Sequence, residues 1–456
     1  MARGTTIRAA LLAAVLAWTG CAGEPARPRQ VVCIVVDTLR ADRLGAYGYA
    51  EHATSPQLDA WLERARLYEA AFASSPWTLP SVGSIVSGLW PSHHGAGRWA
   101  RTGKERRLTL LAPEHVTLAE RFRDAGFATA AIISNHFMRP DSGIEQGFGL
   151  YDFAPVTNES GRRADEVVRR SLEWIDAQGE KPYFLLIHIF DPHMNYDAPP
   201  PFRGRFSASI DTKLELPVAD GRKLRREKAS LSDADRGFIG AAYDEEIAFV
   251  DAQLGAFLDE LERRAALAHT LVALTADHGE ELFEHGSFEH GHALWNELIH
   301  VPLAFWGPGV QAGREATPVS LVDLAPTLLD AAGLPPLVPA DGVSLWPNIV
   351  RGAALPTRPL YAEGLLTGPA QKAVIAWPEK LLWNARTGTW KRFDLASDPG
   401  EHHGAALDGA TADQALQRAG VTLPKEAPAD ARDGTDAAAP IDAETRESLE
   451  KLGYLE

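Results

Sequence analysis

Two apolar runs of strand length, each leading to an acidic side chain, constrain the fold of this chain more than any other feature. Val31–Val36 reads VVCIVV and is followed by Asp37, while Leu271–Leu274 reads LVAL and leads to Asp277 and His278. Such apolar, β-branched runs are typical of buried parallel strands, and open α/β sheets bind ligands beyond the carboxyl ends of their strands. If the two strands are neighbours, these polar side chains converge at one edge of the sheet.

Carboxylate oxygens and an imidazole nitrogen form a mixed set of ligands that suits zinc, manganese or a similar divalent ion. The pattern therefore predicts one bound divalent ion, with Asp37, Asp277 and His278 among its ligands. The simpler alternative treats Asp37 as the cap of the next turn and His278 as a surface residue of a loop.

Thr78 stands just before a predicted helix, whose first turn is marked by Pro80. Unpaired backbone N–H groups and the helix dipole make this position favourable for an anionic group. A threonine hydroxyl bound there to a metal ion loses its proton more easily and can act as a nucleophile. The alternative is an ordinary helix cap, which is a common role for threonine.

Length and charge narrow the class of protein further. The 456 residues allow one large α/β domain with an appendage, or two to three domains. The chain has 61 acidic and 45 basic residues and a net charge of −16, which disfavours nonspecific binding to nucleic acid. Its two cysteines, Cys21 and Cys33, exclude a framework of disulfide bonds.

Residues 1–23 have the features of a bacterial targeting segment. Their apolar run, Ala9–Trp18, is too short to span a membrane. The tripeptide that ends at Cys21 resembles the end of a lipobox, in which the cysteine is lipidated after cleavage. We therefore predict a lipid anchor on Cys21 that holds the protein to a membrane, a tether over residues 24–30, and an extracytoplasmic location in the bacterial cell envelope. The alternative is an ordinary signal peptide that is cleaved near Ala22.

Five segments give the chain a resemblance to the sulfatase family within the alkaline-phosphatase superfamily. They occur in the order of the family and span roughly Gln30 to Gly404, and together they are far more specific than any one of them alone. The segments are VVDTLRADRLGAYGY (Val35–Tyr49), TLPSVGSIVSGLWPSHHG (Thr78–Gly95), HIFDPHMNYDAP (His188–Pro199), TADHGEELFEHG (Thr275–Gly286) and HVPLAFWGPG (His300–Gly309).

The resemblance implies an α/β fold, with a mixed, largely parallel sheet flanked by helices and a small C-terminal α+β subdomain. It places the catalytic domain over residues 31–355 and an antiparallel sheet over residues 356–404. Residues 405–456, which include a stretch rich in Ala, Asp and Pro, are expected to form a mostly disordered tail with a short terminal helix.

The resemblance also implies roles for polar residues in the loops that follow the predicted strands. His193 matches a histidine near the leaving group, to which it can donate a proton. His292 stands where sulfatases place a substrate-binding lysine, so we expect it to act on the anion, and we expect His290, Arg40 and Asn195 to contact the substrate. His188, which lies inside a predicted strand, is expected to be a core residue or to support the metal ligands.

One departure from the family pattern concerns the nucleophile. Family sulfatases have Cys or Ser at the position of Thr78 and convert it to formylglycine, an aldehyde that threonine cannot form. The arginine of that motif is replaced by Val82, and the second of two usual aspartates is replaced by Thr38. Related phosphodiesterases and phosphoethanolamine transferases use a threonine and a single metal ion. The residues that match their pattern are Asp37, Thr78, Asp277 and His278.

These features predict a metal-dependent hydrolase of sulfate or phosphate esters, with one calcium, manganese or zinc ion and Thr78 as nucleophile. Its substrate is an anionic ester, with glycans and lipid-linked compounds as candidates. Phosphodiesters and phosphonate esters are favoured over sulfates because no aldehyde hydrate is available to eject sulfate. Two alternatives remain at this point: a phosphoethanolamine-type transferase acting on cell-envelope acceptors, and an inactive sulfatase-fold lipoprotein that binds anionic glycans.

Three further segments carry structural expectations. The pattern of Ser55–Phe72 predicts one amphipathic helix. The pattern of Phe238–Leu261 predicts another, with Asp244 and Asp251 on its polar face. Residues 201–233 are polar and rich in basic residues, and they are predicted to be an insertion over the site that serves as a substrate lid.

Overall fold

The structure is a computed structural model that describes residues 27–102, 105–154, 162–218, 221–421 and 438–439. The predicted lipidation site, Cys21, and the predicted terminal helix lie outside these residues. Within the described ranges, every helix is too short or too polar to cross a membrane.

The strands of the described residues belong to one large sheet and three smaller ones. In chain order they are β1 Gln30–Val36, β2 Arg66–Phe72, β3 Trp99–Thr102, β4 Glu105–Thr109, β5 Ala128–Ile133, β6 Leu150–Phe153, β7 Tyr183–Ile189, β8 Thr270–Ala276, β9 Glu281–Leu282, β10 Phe288–Glu289, β11 His300–Trp306, β12 Gly313–Glu315, β13 Val319–Ser320, β14 Leu360–Glu363, β15 Gln371–Ala376, β16 Glu379–Asn384, β17 Thr389–Asp394, β18 Ala405–Leu407 and β19 Ala438–Ala439.

Most helices of the described residues flank the large sheet, and the last one packs on the C-terminal sheet. They are α1 Pro56–Leu62, α2 Thr78–Ser87, α3 Pro91–His94, α4 Leu118–Asp124, α5 Ala164–Gln178, α6 Gly221–Glu227, α7 Asp233–Arg263, α8 Asn296–Ile299, α9 Leu324–Ala332, α10 Trp346–Arg351 and α11 Gly409–Arg418.

The large sheet has the strand order β12-β2-β11-β8-β1-β7-β5-β6, with β13 paired to β2. All its neighbouring strands are parallel except that β11 runs antiparallel to both β8 and β2. This mixed, largely parallel sheet with helices around it confirms the predicted fold class.

The register of the central strands explains how distant residues meet. Val36, the last residue of β1, pairs with Ile189 of β7 on one side and with Ala276 of β8 on the other. The three strands therefore end level with one another. Asp37 and Asp277, each the next residue of its strand, lie side by side at that edge, as the sequence predicts for neighbouring parallel strands.

The prediction of one helix over Ser55–Phe72 is wrong in its second half. The helix α1 ends at Leu62, and Arg66–Phe72 is strand β2, held between β11 and the short strands β12 and β13. Leu67 and Ala71 fit a helical repeat as well as a buried strand, so the local pattern is ambiguous. Pairing along both edges of β2 decides the conformation.

Asp244 and Asp251 are also not on an exposed face of α7, because both carboxylates are buried. Asp251 accepts hydrogen bonds from the backbone N–H groups of Gln57 and Leu58, at the start of α1. Asp244 accepts one from the hydroxyl of Tyr49 and forms an ion pair with Arg43. Helix α7 therefore anchors the segments that follow β1 through its two buried carboxylates. The sequence pattern alone does not distinguish such buried carboxylates from carboxylates exposed to solvent.

The C-terminal subdomain is an antiparallel sheet with the order β14-β15-β16-β17-β18, covered by α11. Its last strand and helix extend to Arg418, so the mostly disordered tail predicted from residue 405 begins too early. The apolar side of α11, which includes Ala412 and Leu416, packs against Val374 and Trp390 of the sheet. This packing orders the part of the predicted tail that precedes its stretch rich in Ala, Asp and Pro.

Candidate active site

Four predicted site residues meet at the edge where β1 and β8 end. The Nε2 atom of His278 lies 3.5 Å from Oδ1 of Asp37 and 3.5 Å from Oδ2 of Asp277. The hydroxyl oxygen of Thr78, on α2, lies 3.4 Å from the same nitrogen. All four side chains are buried. The arrangement turns two carboxylates, an imidazole and a hydroxyl toward a common point.

The carboxylates of this cluster lack the partners that buried acids usually have. Oδ1 of Asp37 and Oδ2 of Asp277 are buried and accept no hydrogen bond within the described part of the chain. Burial and the neighbouring Asp277 carboxylate raise the pKa of Asp37 well above its usual range. For Asp277, burial is outweighed by His278 and His188, which lower its pKa to about 2. Two buried carboxylates with unpaired oxygens fit a bound cation, which would supply the missing positive charge.

His188 belongs to the same cluster, although the sequence placed it in the core or in a supporting role. Its Nε2 atom lies 3.9 Å from Oδ2 of Asp37 and 3.9 Å from Oδ2 of Asp277. Neither ring nitrogen makes a hydrogen bond within the described ranges. One ligand atom from each of His188, Asp37 and Asp277 falls within 4.8 Å of the others, so this histidine is a further candidate ligand. An ionisable residue near the carboxyl end of a buried strand is the signal that could have identified it.

Asn135 is a site residue that the sequence analysis missed. Its side-chain nitrogen donates to Oδ2 of Asp37 over 2.5 Å and to the hydroxyl oxygen of Thr78 over 3.1 Å. Its own oxygen accepts from the backbone N–H of Phe137, which fixes the orientation of the amide. Asn135 follows β5, whose end lies at the same edge of the sheet as those of β1 and β7. Its position after a buried strand could have marked it.

The helix that carries Thr78 is tied directly to the strand end. The described helix α2 begins at Thr78, and its residues are buried throughout. The hydroxyl of Ser81 donates to the backbone carbonyl of Asp277 over 2.6 Å. Elsewhere, Gly83 lets α2 pack closely against α3, because a Cβ there would lie 3.0 Å from the ring of His94. The first turn of α2 is therefore fixed relative to both aspartates.

His193 and His290 lie beside the carboxylate cluster. The ring of His290 has its centroid 4.5 Å from that of His278 and 4.9 Å from that of His193. Burial lowers the pKa of His193 to about 3, with a further contribution from His290. Burial and His278 hold the pKa of His290 well below its usual range. Both imidazoles are therefore neutral at neutral pH in the structure as it stands.

Each of these two histidines has its Nδ1 atom fixed by a protein acceptor. Nδ1 of His193 lies 2.6 Å from the carbonyl oxygen of Met194, and Nδ1 of His290 lies 2.8 Å from Oε1 of Glu280. The Glu280 carboxylate is fully buried, and its second oxygen accepts from the hydroxyl of Tyr196. Glu280 escaped the sequence analysis, although it follows the Asp277-His278 pair closely.

The three remaining residues predicted to act on the substrate, His292, Arg40 and Asn195, lie outside the carboxylate cluster. Nε2 of His292 lies 2.7 Å from Oε2 of Glu281. The guanidinium of Arg40 forms ion pairs with Asp42 and Glu284, and it also donates to the backbone carbonyl of Glu280. These contacts do not support a substrate-binding role for Arg40, because protein carboxylates engage its nitrogens on two sides. Asn195 is half-buried in the loop that carries His193.

Part of the insertion predicted over residues 201–233 packs against two loops of the site. Val218 and Tyr196 exchange backbone hydrogen bonds, which join the insertion to the loop of His193. Arg225 of α6 forms an ion pair with Glu289, the residue before His290. Gly221, the first residue of α6, lies against the side chain of Glu289, so α6 sits directly on this loop.

The sheet, the flanking helices and the buried polar cluster at the strand ends define an alkaline-phosphatase-like α/β enzyme. A model of the family described as "Sulfatase" matches residues 29–334. The chain belongs to the sulfatase family of the alkaline-phosphatase superfamily, and it is a sulfatase-family ester hydrolase.

Known relatives and a solved structure agree with this assignment. The chain is 24% identical over 437 residues to a Δ4,5-hexuronate-2-O-sulfatase of Bacteroides thetaiotaomicron, which covers 86% of this chain and 88% of the relative. It is 25% identical over 438 residues to an arylsulfatase of Clostridium perfringens, with 81% and 89% covered. Its fold resembles that of a phosphonate monoester hydrolase from Silicibacter pomeroyi, with a TM-score of 0.67, 20% identity, and 85% of this chain and 94% of the other covered.

Proposed function

We propose that the enzyme is a metal-dependent hydrolase of anionic esters that uses Thr78 as its nucleophile and prefers phosphodiesters or phosphonate esters to sulfate esters. One observation carries the proposal. The Thr78 hydroxyl lies at the start of a buried helix, within 3.4 Å of Nε2 of His278 and 3.1 Å of the Asn135 amide nitrogen. It therefore sits beside carboxylate oxygens that have no hydrogen-bond partner among the described residues.

The donor set fits one divalent ion. Asp37, Asp277 and His278 would hold it together with the Thr78 oxygen, and His188 is a further candidate ligand. Two imidazoles beside two carboxylates favour zinc or manganese over calcium, which prefers oxygen ligands alone. A bound ion would lower the pKa of the Thr78 hydroxyl and offset the negative charge that develops on the transferred group.

The first chemical step is proposed to be attack on phosphorus by the Thr78 oxygen in its deprotonated form, the proton of its hydroxyl having passed to solvent before the ester binds. A new bond forms between that oxygen and phosphorus while the bond to the leaving oxygen breaks, and protonated His193 gives its proton to the departing group. Asn135 donates a hydrogen bond to the Thr78 oxygen and so keeps it aimed. Burial disfavours the charged imidazole of His193, so the negative charge of the bound substrate is needed to keep it protonated.

The second step regenerates the enzyme. Water attacks phosphorus, the bond to the Thr78 oxygen breaks, and the proton released by water returns to His193. A threonine phosphoester can be cleaved by water at phosphorus in this way. A threonine sulfoester has no aldehyde hydrate to eject sulfate, which is the chemical reason for the proposed preference.

The proposed substrate class rests on proteins of the same fold, and the proposed location rests on the N-terminal sequence. A phosphonate monoester hydrolase shares the fold, and a solved relative is described in complex with D-glucosamine-2-N,6-O-disulfate. Both ligand classes are small anionic esters, and we propose such a compound, free or attached to a glycan or lipid, as the substrate. The proposed location is the bacterial cell envelope, with the lipid anchor on Cys21.

Kinetics of Thr78→Ala test the proposal. Turnover of an aryl phosphodiester or phosphonate ester should fall by about 100-fold or more, as loss of a covalent nucleophile tends to do. Thr327→Ala is a matched control, because Thr327 is equally buried and donates its hydroxyl to Asp323 of another helix end. Near wild-type turnover in Thr78→Ala would show that Thr78 is not the nucleophile and has only a structural role at the start of α2. Sulfate esters as the best substrates of the unmodified protein would overturn the proposed preference.

A further inference from the structure

We infer that Trp77 is a positioning residue through which the C-terminal subdomain holds the nucleophile in place. The inference rests on the proposed role of Thr78, which immediately follows this tryptophan. Trp77 is fully buried, and its indole N–H donates to the backbone carbonyl of Gly364 over 2.6 Å. Gly364 follows β14, so the acceptor lies in the loop between the first two strands of the C-terminal sheet and not in the sheet that carries the aspartates.

The indole also packs against the turn that carries Asn135. Its ring meets that of Phe137 edge-on, with centroids 5.1 Å apart. Phe137 donates its backbone N–H to the side chain of Asn135, the residue that bonds both Asp37 and Thr78. A Cβ at Gly291, next to His290, would lie 3.7 Å from Cβ of Trp77. Trp77 thus joins the nucleophile to the Asn135 turn and lies beside Gly291 of the His290 loop.

The loop after β14 joins the same segments by backbone hydrogen bonds. Leu366 and Thr367 donate their N–H groups to the carbonyl of Gly291, over 2.8 and 3.0 Å. Gly291 in turn donates its N–H to the carbonyl of Pro76, just before Trp77, over 2.9 Å. The hydroxyl of Ser75 adds a second, longer bond of 3.1 Å to the carbonyl of Gly364. Residues 363–367, which we call the bridging loop, therefore hold the Thr78 segment and the His290 segment at a fixed separation.

This geometry has a consequence for the reaction. An in-line displacement requires the attacking oxygen to be placed within a fraction of an ångström of its correct position relative to the bound ester. Thr78 is the first residue of α2, so its placement depends on the segment that enters the helix. The indole bond to Gly364 fixes that segment from a neighbouring subdomain, whereas the metal-ligand cluster is built entirely from the large sheet and α2.

Trp77→Phe tests the inference, because it keeps an aromatic ring against Phe137 and removes only the indole N–H. We expect kcat to fall between about 10- and 100-fold, as a displacement of about 1 Å can produce. Metal content and KM should change little, since Trp77 supplies no proposed ligand. Trp306→Phe is the matched control. Trp306 is also buried, and its indole N–H donates an equivalent hydrogen bond of 2.7 Å to the carbonyl of Trp61, on the far side of the sheet. The substitution removes that bond.

A double-mutant cycle separates this inference from the proposed function. If Trp77 acts through Thr78, Trp77→Phe should have almost no effect on the residual activity of Thr78→Ala, so the two losses are not additive. Additive losses would overturn the positioning role. High activity of Thr78→Ala alone would instead contradict the proposed function. If Trp77→Phe folds poorly, Ser75→Ala is the second variant: it should lower kcat by a smaller factor, and an unchanged kcat in it would count against the inference.

Discussion

The active site has two sides that differ in how their polar atoms are satisfied. On the carboxylate side, Asp37, Asp277 and His188 have buried polar atoms that make no hydrogen bond within the described residues. On the histidine side, His193 and His290 have their Nδ1 atoms bonded to the Met194 carbonyl and to Glu280. The two sides are adjacent, because the rings of His278 and His290 lie 4.5 Å apart.

The difference indicates what each side requires. Unpaired buried carboxylates are costly, so we propose that a cation completes the carboxylate side. The histidine side already has its supporting partners, as catalytic and ligand histidines in general do. The account therefore assigns the charge-stabilising role to the first side and proton transfer and anion contact to the second. Variants that affect the two sides separately test this division.

The largest effect is expected on the carboxylate side. Asp37→Asn and Asp277→Asn should each lose bound metal and activity together, because each removes a charge that balances the ion. The activity loss should exceed the roughly 10- to 100-fold typical of removing a supporting residue around a metal site. Metal content by mass spectrometry and turnover should be measured on the same preparations. Full metal occupancy in the double variant would remove both aspartates from the metal site.

A smaller effect is expected from Glu280→Gln on the histidine side. The neutral amide can still accept from Nδ1 of His290, but it loses the charge that orients the ring. Activity should fall by about 10- to 100-fold while metal content is retained. Glu281→Gln is a matched control, because the Glu281 carboxylate also lies within hydrogen-bond distance of a histidine, at Nε2 of His292. A larger loss in the control would show that His292, and not His290, is the functional histidine of this loop.

These expectations also show what could be predicted from the sequence. Asp37 and Asp277-His278 follow apolar runs directly, so the strand ends and their convergence could be inferred. His188 and Asn135 could not be recognised with the same ease, since one is the sixth residue of a buried strand and the other follows a strand of small residues. Their roles depend on which strands are neighbours, and that is a property of the assembled sheet.

The incorrect sequence-based predictions also arise from contacts between segments that are distant in the chain. Ala70 and Ala71 have no strong preference for a strand, and pairing with β11 on one edge and with β12 and β13 on the other makes Arg66–Phe72 extended. Asp244 fits a solvated helix face until the loop containing Tyr49 covers it. The sequence also gives no sign that Trp77 contacts the C-terminal subdomain, because its acceptor is a backbone carbonyl far along the chain.

The smallest expected effect is on stability, and it comes from His94, a buried histidine that belongs to neither the carboxylate side nor the histidine side of the active site. His94 accepts from the N–H of Ala96 at Nδ1, and its Nε2 lies 3.1 Å from both the Ser84 hydroxyl and the Pro80 carbonyl. Burial lowers its pKa to about 3. Between that value and about 6.5, the unfolded chain binds a proton that the folded chain does not. The contribution of His94 to stability is therefore present above about pH 6.5 and is lost as the pH falls toward 3.

Denaturation at a series of pH values can measure this contribution. As the pH falls from about 6.5 toward 3, the titration of His94 should lower the free energy of unfolding by up to about 1.4 kcal/mol per pH unit. In His94→Gln the decrease should be shallower by about that amount, with activity at neutral pH retained. An identical pH dependence in the two proteins would mean that His94 does not titrate as its burial suggests.

The most direct test of the central claim is to trap the covalent intermediate on Thr78. The wild-type enzyme is mixed with a phosphodiester or phosphonate ester substrate, quenched in acid within one turnover, digested and analysed by mass spectrometry. The account predicts the mass of the transferred group on the peptide that contains Thr78, and its absence from Asp37→Asn treated in the same way. Modification of another residue, or rapid product formation with an unmodified Thr78 peptide at every quench time, would contradict it.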